Sequence, residues 1–194
     1  MQKPNNYDQT QAGGAFTPVE LGGHKLIIKQ VSETKSKNGK DMIVVLFDLG
    51  PEDKQAGYFT EQFKNDIRPD KKWPNQATQY ILTEDADGKC SRSFKTFTTC
   101  VEHSNTGFVT QWGDNFGAQF KNKKIGGVFG VVEEEDNGER KKKRKLRWFT
   151  SFDKALEAEI PDEKLLAAGS ASSRPDADGF MNIPDGIDEE LPFN

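Results

Sequence analysis

Residue types that bind metals or perform catalysis are scarce in this chain. It contains two cysteines, Cys90 and Cys100, and two histidines. Their spacing matches no paired zinc-ligand motif. No Gly-rich phosphate loop and no Gly-x-Ser-x-Gly segment occurs. We therefore expect no metal, no cofactor and no enzymatic activity, and we expect both thiols to stay free in a reducing compartment.

Long apolar segments are also lacking. No run approaches the roughly 18 apolar residues of a membrane-spanning helix, and residues 1–6 lack the apolar stretch of a signal peptide. Charged residues make up 30% of the chain, and its mean hydropathy is -0.79. These values predict a soluble cytoplasmic protein with no membrane contact.

Charge is distributed unevenly along the chain, which has 27 Lys and Arg against 31 Asp and Glu. No cation follows Pro175, whereas six of the 31 carboxylates do, which leaves 25 acids against 27 bases in the body. The body therefore carries +2, although the whole chain carries -4. Such a split predicts a tail that competes with a polyanion or recruits a partner.

The acidic tail ends in a short apolar tip, Leu191-Pro192-Phe193. A tail that only improves solubility needs no such tip, so we predict that the tail binds a partner. A Gly- and Ser-rich linker, 169–175, precedes it, and we predict that residues 169–194 are disordered. The predicted partner-binding residues are Asp188, Glu189, Glu190, Leu191, Pro192 and Phe193.

The remaining elements follow from hydrophobic periodicity and turn signals. Residues 1–20 are polar and Gly-rich, which predicts a flexible arm. Apolar, β-branched runs predict five strands, and apolar residues at three- and four-residue spacing predict one helix at 93–104. The predicted strands are 24–31, 42–47, 80–83, 125–132 and 146–152. Residues 57–75 fit either a strand or a helix.

The predicted order places the helix between the third and fourth of five strands. This is the order of the OB-fold, a partly open barrel that binds single strands on one face and through its first and last hairpin loops. We therefore predict a mainly β protein with an OB-like barrel at 21–153. A short helical exit at 154–168 leads into the tail.

Both loops that flank the binding face of such a barrel are basic. Lys and Arg bind phosphates and release condensed counterions, so they are candidate contacts to nucleic acid. The acidic run 133–136 precedes the second basic run and can pair with it across the hairpin. The basic candidates are Lys35, Lys37, Lys40, Lys71, Lys72, Arg140, Lys141, Lys142, Lys143, Arg144, Lys145 and Arg147.

Four aromatic residues are candidates for stacking on bases, at about 1–3 kcal/mol per base. Trp73 lies in a polar segment broken by Pro74. Strand alternation predicts that Phe149 faces outward with Lys145 and Arg147. The same alternation predicts a core face, formed by Leu146, Trp148, Thr150 and Phe152. Phe59 and Tyr80 fit the core and the binding face equally well.

With these features the chain resembles the single-stranded DNA-binding proteins that bacteriophages encode. The resemblance lies in the OB-like order, the basic hairpin and the tail 188–193, and in the segments 57–59, 72–74 and 124–130. It implies non-catalytic, sequence-independent protection of single-stranded DNA during phage replication and recombination, in the cytoplasm of a bacterial host. It also implies that the tail regulates DNA binding or recruits phage replication proteins.

One residue departs from that pattern, and other functions stay open. Asn194 follows Phe193, so the terminal carboxylate is not on the phenylalanine, which favours phage-encoded partners over host repair proteins. A single-strand annealing protein has the same features, and proteins of that class usually form homo-oligomers. A metal-dependent nuclease built from the chain's carboxylates and a pure adaptor that acts through its tail are further alternatives.

We expect that deleting residues 176–194 raises affinity for single-stranded DNA, most clearly at low salt. Six tethered carboxylates compete with phosphates at an effective concentration that reaches the millimolar range, and salt screens this competition. Deleting only 191–194 keeps the charge and should leave DNA binding unchanged while abolishing partner binding. Titration of both deletions with oligo-dT at several salt concentrations tests this. Equal effects of the two deletions on DNA binding would contradict charge competition.

Overall fold

A computed structural model describes residues 2–5, 7, 17–136 and 138–166. These residues form five β-strands and two α-helices, which confirms the mainly β prediction. In chain order the elements are β1 Gly22–Lys35, β2 Asp41–Leu49, α1 Tyr58–Asn65, β3 Thr78–Leu82, α2 Arg92–Ser104, β4 Lys124–Asp136 and β5 Glu139–Thr150. In this part of the chain no helix is long and apolar enough to cross a membrane. The predicted linker and tail, 169–194, and most of the predicted arm lie outside the described residues.

The five strands form one antiparallel sheet in the order β3-β2-β1-β4-β5. Within the described residues, β3 and β5 stay at its edges and are not hydrogen-bonded to each other, so the sheet is not closed into a barrel. It is nevertheless strongly curled. The ring centroids of Phe47 on β2 and Phe149 on β5 are 6.1 Å apart, whereas three strand spacings in a flat sheet would separate them by about 14 Å.

Two β-bulges interrupt the regular pairing. In β1, Ile28 pairs with Phe47 and Gln30 with Leu46, so Lys29 is an extra residue. In β5, Leu146 pairs with Phe129 and Trp148 with Val128, so Arg147 is an extra residue. A bulge bends its strand and shifts the alternation of side chains by one position. Leu146 and Phe149 can therefore both point into the core.

The bulge at Arg147 overturns the predicted faces of β5. Phe149 is 2% exposed and lies in the core, whereas Trp148 is 39% exposed. Phe59 is also fully buried, in edge-to-face contact with Phe47 at 6.1 Å. The prediction that Phe149 stacks on bases is therefore wrong, and of the two alternatives for Phe59 the core is the one observed, because neither ring reaches the surface. Leu146 and Phe152 are buried, as predicted.

The helix predicted at 93–104 is confirmed as α2. Its N-cap is Ser91, whose hydroxyl accepts a hydrogen bond from the Phe94 amide at 3.2 Å. Phe94, Phe97 and Val101 are buried, as their spacing predicts. The Phe97 ring lies 5.4 Å from the Phe149 ring, so α2 covers the inner side of the curled sheet.

The segment that the sequence left open begins with helix α1. This helix is held to β2 by a buried carboxylate, Asp48, which is 1% exposed. Its Oδ1 accepts from the Phe59 amide at 2.9 Å, and its Oδ2 accepts from the Thr60 hydroxyl. Asp48 thus caps the start of α1 from the neighbouring strand.

The chain after β5 packs along β4. The helical exit predicted at 154–168 is limited, in the described residues, to one 3-10 turn at Ala155–Glu157. Farther on, the Lys164 amide donates to the Val131 carbonyl at 2.9 Å, and the Glu133 amide donates to the Lys164 carbonyl at 2.8 Å. The 3-10 turn crosses so close to β1 that a Cβ at Gly23 would lie 1.5 Å from the Ala155 carbonyl oxygen. Only glycine fits there.

We expect Phe149→Ala to lower the free energy of unfolding by about 3–5 kcal/mol, because it empties a ring-sized volume in the core. Trp148→Ala at the adjacent, half-exposed position should cost about 1 kcal/mol. Urea unfolding of the two variants checks this. Equal losses, or a larger loss for Trp148→Ala, would contradict the bulged register.

Candidate nucleic-acid interface

The side of the sheet that faces away from the main core carries three cross-strand rows, which we call the outer face. Residues directly opposite each other in antiparallel strands lie on the same side of the sheet. The intervening residues, such as Val45 and Ile81, belong to the core cluster, whereas no member of the rows does. The rows are Gln30–Leu46–Thr78, Ser32–Val44–Tyr80 and Thr34–Met42–Leu82.

The outer face has a buried apolar centre, and solvent reaches it on its polar β1 side and at Tyr80. Met42, Val44 and Leu46 of β2 are at most 8% exposed. Gln30 on β1 is exposed, and Tyr80 on β3 is half-buried. Tyr80, one of the predicted stacking residues, is the aromatic side chain of this face.

One end of the outer face adjoins the β1–β2 loop with its predicted lysines. The Lys35 ammonium pairs with Asp41 at 2.6 Å, and both side chains are 66% exposed. The Lys40 ammonium donates to the Asp85 carbonyl at 3.2 Å. Lys37 is exposed in the turn between them. Exposed pairs of this kind contribute little stability and exchange readily for other ligands.

The other end of the outer face adjoins the predicted group Lys71, Lys72 and Trp73. The indole N–H of Trp73 donates to the Phe47 carbonyl at 3.2 Å. Phe47 follows Leu46, the residue of β2 that pairs with the first residue of β3. The indole lies 5.6 Å from the Phe63 ring, and the Lys71 ammonium lies 4.9 Å from the centroid of the same ring. Lys72 is exposed. Trp73 also packs against the core cluster, whereas Tyr80 belongs to the outer face. The contact of either ring with bases stays a prediction.

The second basic run lies in a strand and not in a loop, contrary to the sequence prediction. β4 and β5 continue to Asp136 and Glu139, so the acidic run 133–136 pairs with the basic run. Opposite charges across strands stabilise such a ladder without apolar alternation. The ion pairs are Arg140–Glu133, Lys141–Asp136, Lys141–Glu139, Lys142–Glu163, Lys143–Glu134 and Lys145–Glu134.

Glu134 is the most buried member of this network, with a side chain 4% exposed. Its carboxylate lies 2.5 Å from the Lys145 ammonium and 3.7 Å from that of Lys143. Its oxygens make no hydrogen bond of good geometry, so these two ammonium groups neutralise it. Two nearby arginines donate to backbone carbonyls. Arg144 donates to the Val19 carbonyl at 2.6 Å, and Arg147 donates to the Asp162 carbonyl at 2.9 Å.

Five of the six cations from Arg140 to Lys145 form ion pairs, and their partners are five carboxylates, those of Glu133, Glu134, Asp136, Glu139 and Glu163. Opposite charges in equal number leave little field with which to attract a polyanion. The phosphate contacts predicted for this run stay a prediction. We expect the pairing to make them weak.

A second group of cations, which the sequence analysis missed, lies where β1 meets β4. Lys25 and Lys124 share the Glu52 carboxylate at 3.2 and 2.7 Å, and both ammonium groups lie within 5 Å of the Phe152 ring centroid. The Lys29 ammonium lies 3.8 Å from Asp48. We call Lys25, Lys29, Lys121, Lys123 and Lys124 the lysine cluster.

The lysine cluster contains more positive than negative charge. Three of its five lysines, Lys25, Lys29 and Lys124, contact two carboxylates, Glu52 and the buried Asp48. Hydrogen bonds from Lys124 and Lys25 lower the pKa of Glu52, so it stays ionised at neutral pH. The Ile28 amide donates to the Lys123 carbonyl at 2.9 Å, which places the segment 121–124 beside the Lys29 bulge. The sequence signal that could have indicated this cluster is the run Lys-Asn-Lys-Lys at 121–124.

Two features of the described residues bear on chemistry other than binding. In these ranges no three His, Cys, Asp or Glu side chains come close enough to hold a metal ion. Cys90 and Cys100 are free thiols. Burial raises the pKa of the Cys100 thiol to about 11, which makes it a poor nucleophile at neutral pH.

Comparison with known proteins does not assign a family. No protein-family model matches the chain, and a search of curated proteins gives no significant match.

We expect Glu134→Gln to lower the free energy of unfolding by about 2–3 kcal/mol, because it leaves two partly buried ammonium groups without their carboxylate. Glu135→Gln, the same change at the next and exposed position, should cost less than about 0.5 kcal/mol. Urea unfolding at low ionic strength measures both. Equal losses would show that the Glu134 ion pairs contribute no more than an exposed side chain.

Proposed function

We propose that this protein binds single-stranded DNA with little sequence preference, on the outer face of β1, β2 and β3. The strand order is the observation that carries the proposal. Five antiparallel strands curl in the order β3-β2-β1-β4-β5, with α2 between β3 and β4 packed on the inner side. Barrels of the OB type have this element order and bind oligonucleotides on the face of their second and third strands.

The proposal includes the finer fold, an open OB-like barrel. The two sheet edges approach each other through the 3-10 turn Asn75–Ala77, which precedes β3 and contacts β5. Ala77 at the end of this turn is fully buried. A turn fills the position where a strand pair would close the barrel. A fold alone does not determine function. The side chains of the outer face must also be able to bind nucleotides.

Those side chains suit bases of any identity. The Tyr80 ring, and beside the outer face the Trp73 indole, offer planes on which bases stack without regard to sequence. Gln30, Ser32 and Thr34 on β1 offer short polar groups that can bind sugars or phosphates. No described arginine lies in the three rows to read guanine edges, which fits weak sequence preference.

The lysine cluster is the better phosphate site because it carries excess positive charge. Lys29 directly precedes Gln30 at the edge of the outer face, and 121–124 runs beside it. The cations of the β4–β5 hairpin are balanced by carboxylates. We therefore place most phosphate contacts at the lysine cluster and the β1–β2 loop.

The setting of this activity follows from the resemblance to phage proteins. We propose that the protein protects replication or recombination intermediates in the cytoplasm of a bacterial host, and that its acidic tail limits binding or recruits replication partners. The partner-binding residues 188–193 lie outside the described residues. This part of the proposal rests on the sequence.

Titration with oligo-dT tests the proposal through Tyr80. We expect wild-type protein to bind tightly at low salt, and Tyr80→Ala to lose about 1–3 kcal/mol of binding free energy. Tyr80→Phe is the matched control, because it keeps the ring and should bind like wild type. Absence of binding by the wild-type protein at low salt would overturn the proposed function. Equal binding by all three proteins would move the interface away from the outer face.

A pair of double variants locates the phosphate contacts. We expect Lys121→Gln with Lys123→Gln to flatten the log-log salt dependence of binding by about 1.4, at about 0.7 for each lost contact in single strands. Lys141→Gln with Lys142→Gln removes the same charge from the hairpin and should change the slope by less than half as much. If both double variants flatten the slope equally relative to wild type, the hairpin cations contact DNA despite their carboxylates.

A further inference from the structure

A cleft opens between α1, the chain that follows it and residue 17. Its volume is about 630 Å³, within the range of sites that enclose a small organic group. The side chains that matter here are Tyr58, Gln62, Phe63 and Lys72, and Pro74 forms part of the wall. The functional-site prediction from sequence did not include this cleft.

Gln62 is the unusual residue of the cleft. Its Oε1 is buried and has no hydrogen-bond partner. A buried polar atom without a partner destabilises the folded protein unless an ordered water or a ligand provides one. Exchanging the amide oxygen and nitrogen does not remove the problem, because the nitrogen would then need an acceptor in the same place. Rotation of the Gln62 side chain into the cleft would bring this oxygen within reach of a ligand with an N–H donor.

The charges around the cleft cancel, so it does not select phosphate. Glu61 and Asp66 line it together with Arg68 and Lys72. The Arg68 guanidinium holds Asp66 through Nε at 3.0 Å and Nη2 at 2.6 Å. This contact lowers the pKa of Asp66 to about 2, so the pair persists at neutral pH. A neutral ligand suits such a site better than an anion.

The cleft also offers aromatic surface, and one of its walls is hydrogen-bonded to the outer face. Phe63 lines it, and the Phe63 ring contacts Trp73, which lies beside β2 at the end of the outer face. The Thr78 hydroxyl in the nearest row donates to the Pro74 carbonyl at 3.1 Å. Pro74, part of the cleft wall, is thus hydrogen-bonded to the row of the outer face that lies nearest the cleft.

We propose that the cleft receives one nucleobase from the bound single strand, turned out of the stack. The base lies against Phe63, and an N–H on its edge donates to Gln62 Oε1. Each of the four bases carries such an N–H, and the amide can rotate to meet a neighbouring carbonyl, so the site accepts any base. This inference rests on the proposed function and adds a second, enclosed contact to the open face.

Photochemical crosslinking tests the proposal at saturating protein. The probe is a dT oligonucleotide with one 5-iodouracil, which crosslinks to adjacent aromatic side chains. We expect a crosslink in the tryptic peptide 55–64, which contains Tyr58 and Phe63. A probe whose 5-iodouracil is methylated at N3 lacks the base N–H and should give about tenfold less of this product, the usual scale of one lost hydrogen bond.

Gln62→Met provides the protein-side test. It removes the unpartnered acceptor with little change in shape, so it should raise the midpoint of thermal unfolding without DNA and lower the crosslink to 55–64 about tenfold. Gln76→Met, at a glutamine that does not line the cleft, should change neither. A purely structural role for Gln62 predicts the opposite, a lower midpoint.

The outcomes separate this inference from the proposed function. A protein that does not bind the oligonucleotide at all overturns both. Oligonucleotide binding without a crosslink in 55–64, or a crosslink that is insensitive to N3 methylation, overturns the cleft and leaves the proposed function standing. Crosslinking of free 5-iododeoxyuridine as strong as that of the oligonucleotide would overturn the cleft as a contact for a strand and indicate a nucleoside site.

Discussion

The two β-bulges, at Lys29 and Arg147, are the constraint on which this structure depends. Side chains alternate strictly along a regular strand, so a shift of one residue moves every later side chain to the opposite face. Without its bulge β1 would turn Val31 outward, and β5 could not bury Leu146 and Phe149 together. In both strands the extra residue is a cation whose charged group meets an oxygen outside the core, near Asp48 for Lys29 and at the Asp162 carbonyl for Arg147. The bulges thus permit both the apolar core and the curl that separates it from the outer face.

Much of the fold could be predicted from the sequence because its signals are local. α2 follows from the spacing of Phe94, Phe97 and Val101, and the apolar run of β2 predicts a central strand. The side of the sheet on which Phe149 lies could not be predicted. It depends on a bulge, and a bulge is defined by how β5 pairs with β4 and not by the local sequence. The extent of β4 and β5 was missed for another reason. Between residues 133 and 145 the strands are held by charge pairs across the ladder, which produce no apolar alternation.

The candidate site shows why a run of charge in a sequence is a poor guide to the field around a protein. The densest basic run pairs with carboxylates that the hairpin and the segment after β5 bring to it. The lysine cluster has no comparable run, since its members come from β1 and from the segment before β4. Pairing of those two strands joins them. The relevant quantity is the local balance of charge in the folded protein, which depends on contacts distant in sequence.

The basic run of β5 has a consequence for how copies of this protein behave beside one another. In the described residues β5 is an edge strand, and an edge presents backbone N–H and C=O groups that can pair with a strand of another molecule. Long side chains of Lys and Arg along such an edge oppose this pairing, because an approaching strand would have to displace them and their ion pairs from water. Under the proposed function, copies of the protein would meet at high local concentration along a nucleic-acid strand. At such a concentration, charged edges would prevent the sheets of neighbouring molecules from joining. The cations would then protect against aggregation whether or not they touch a phosphate.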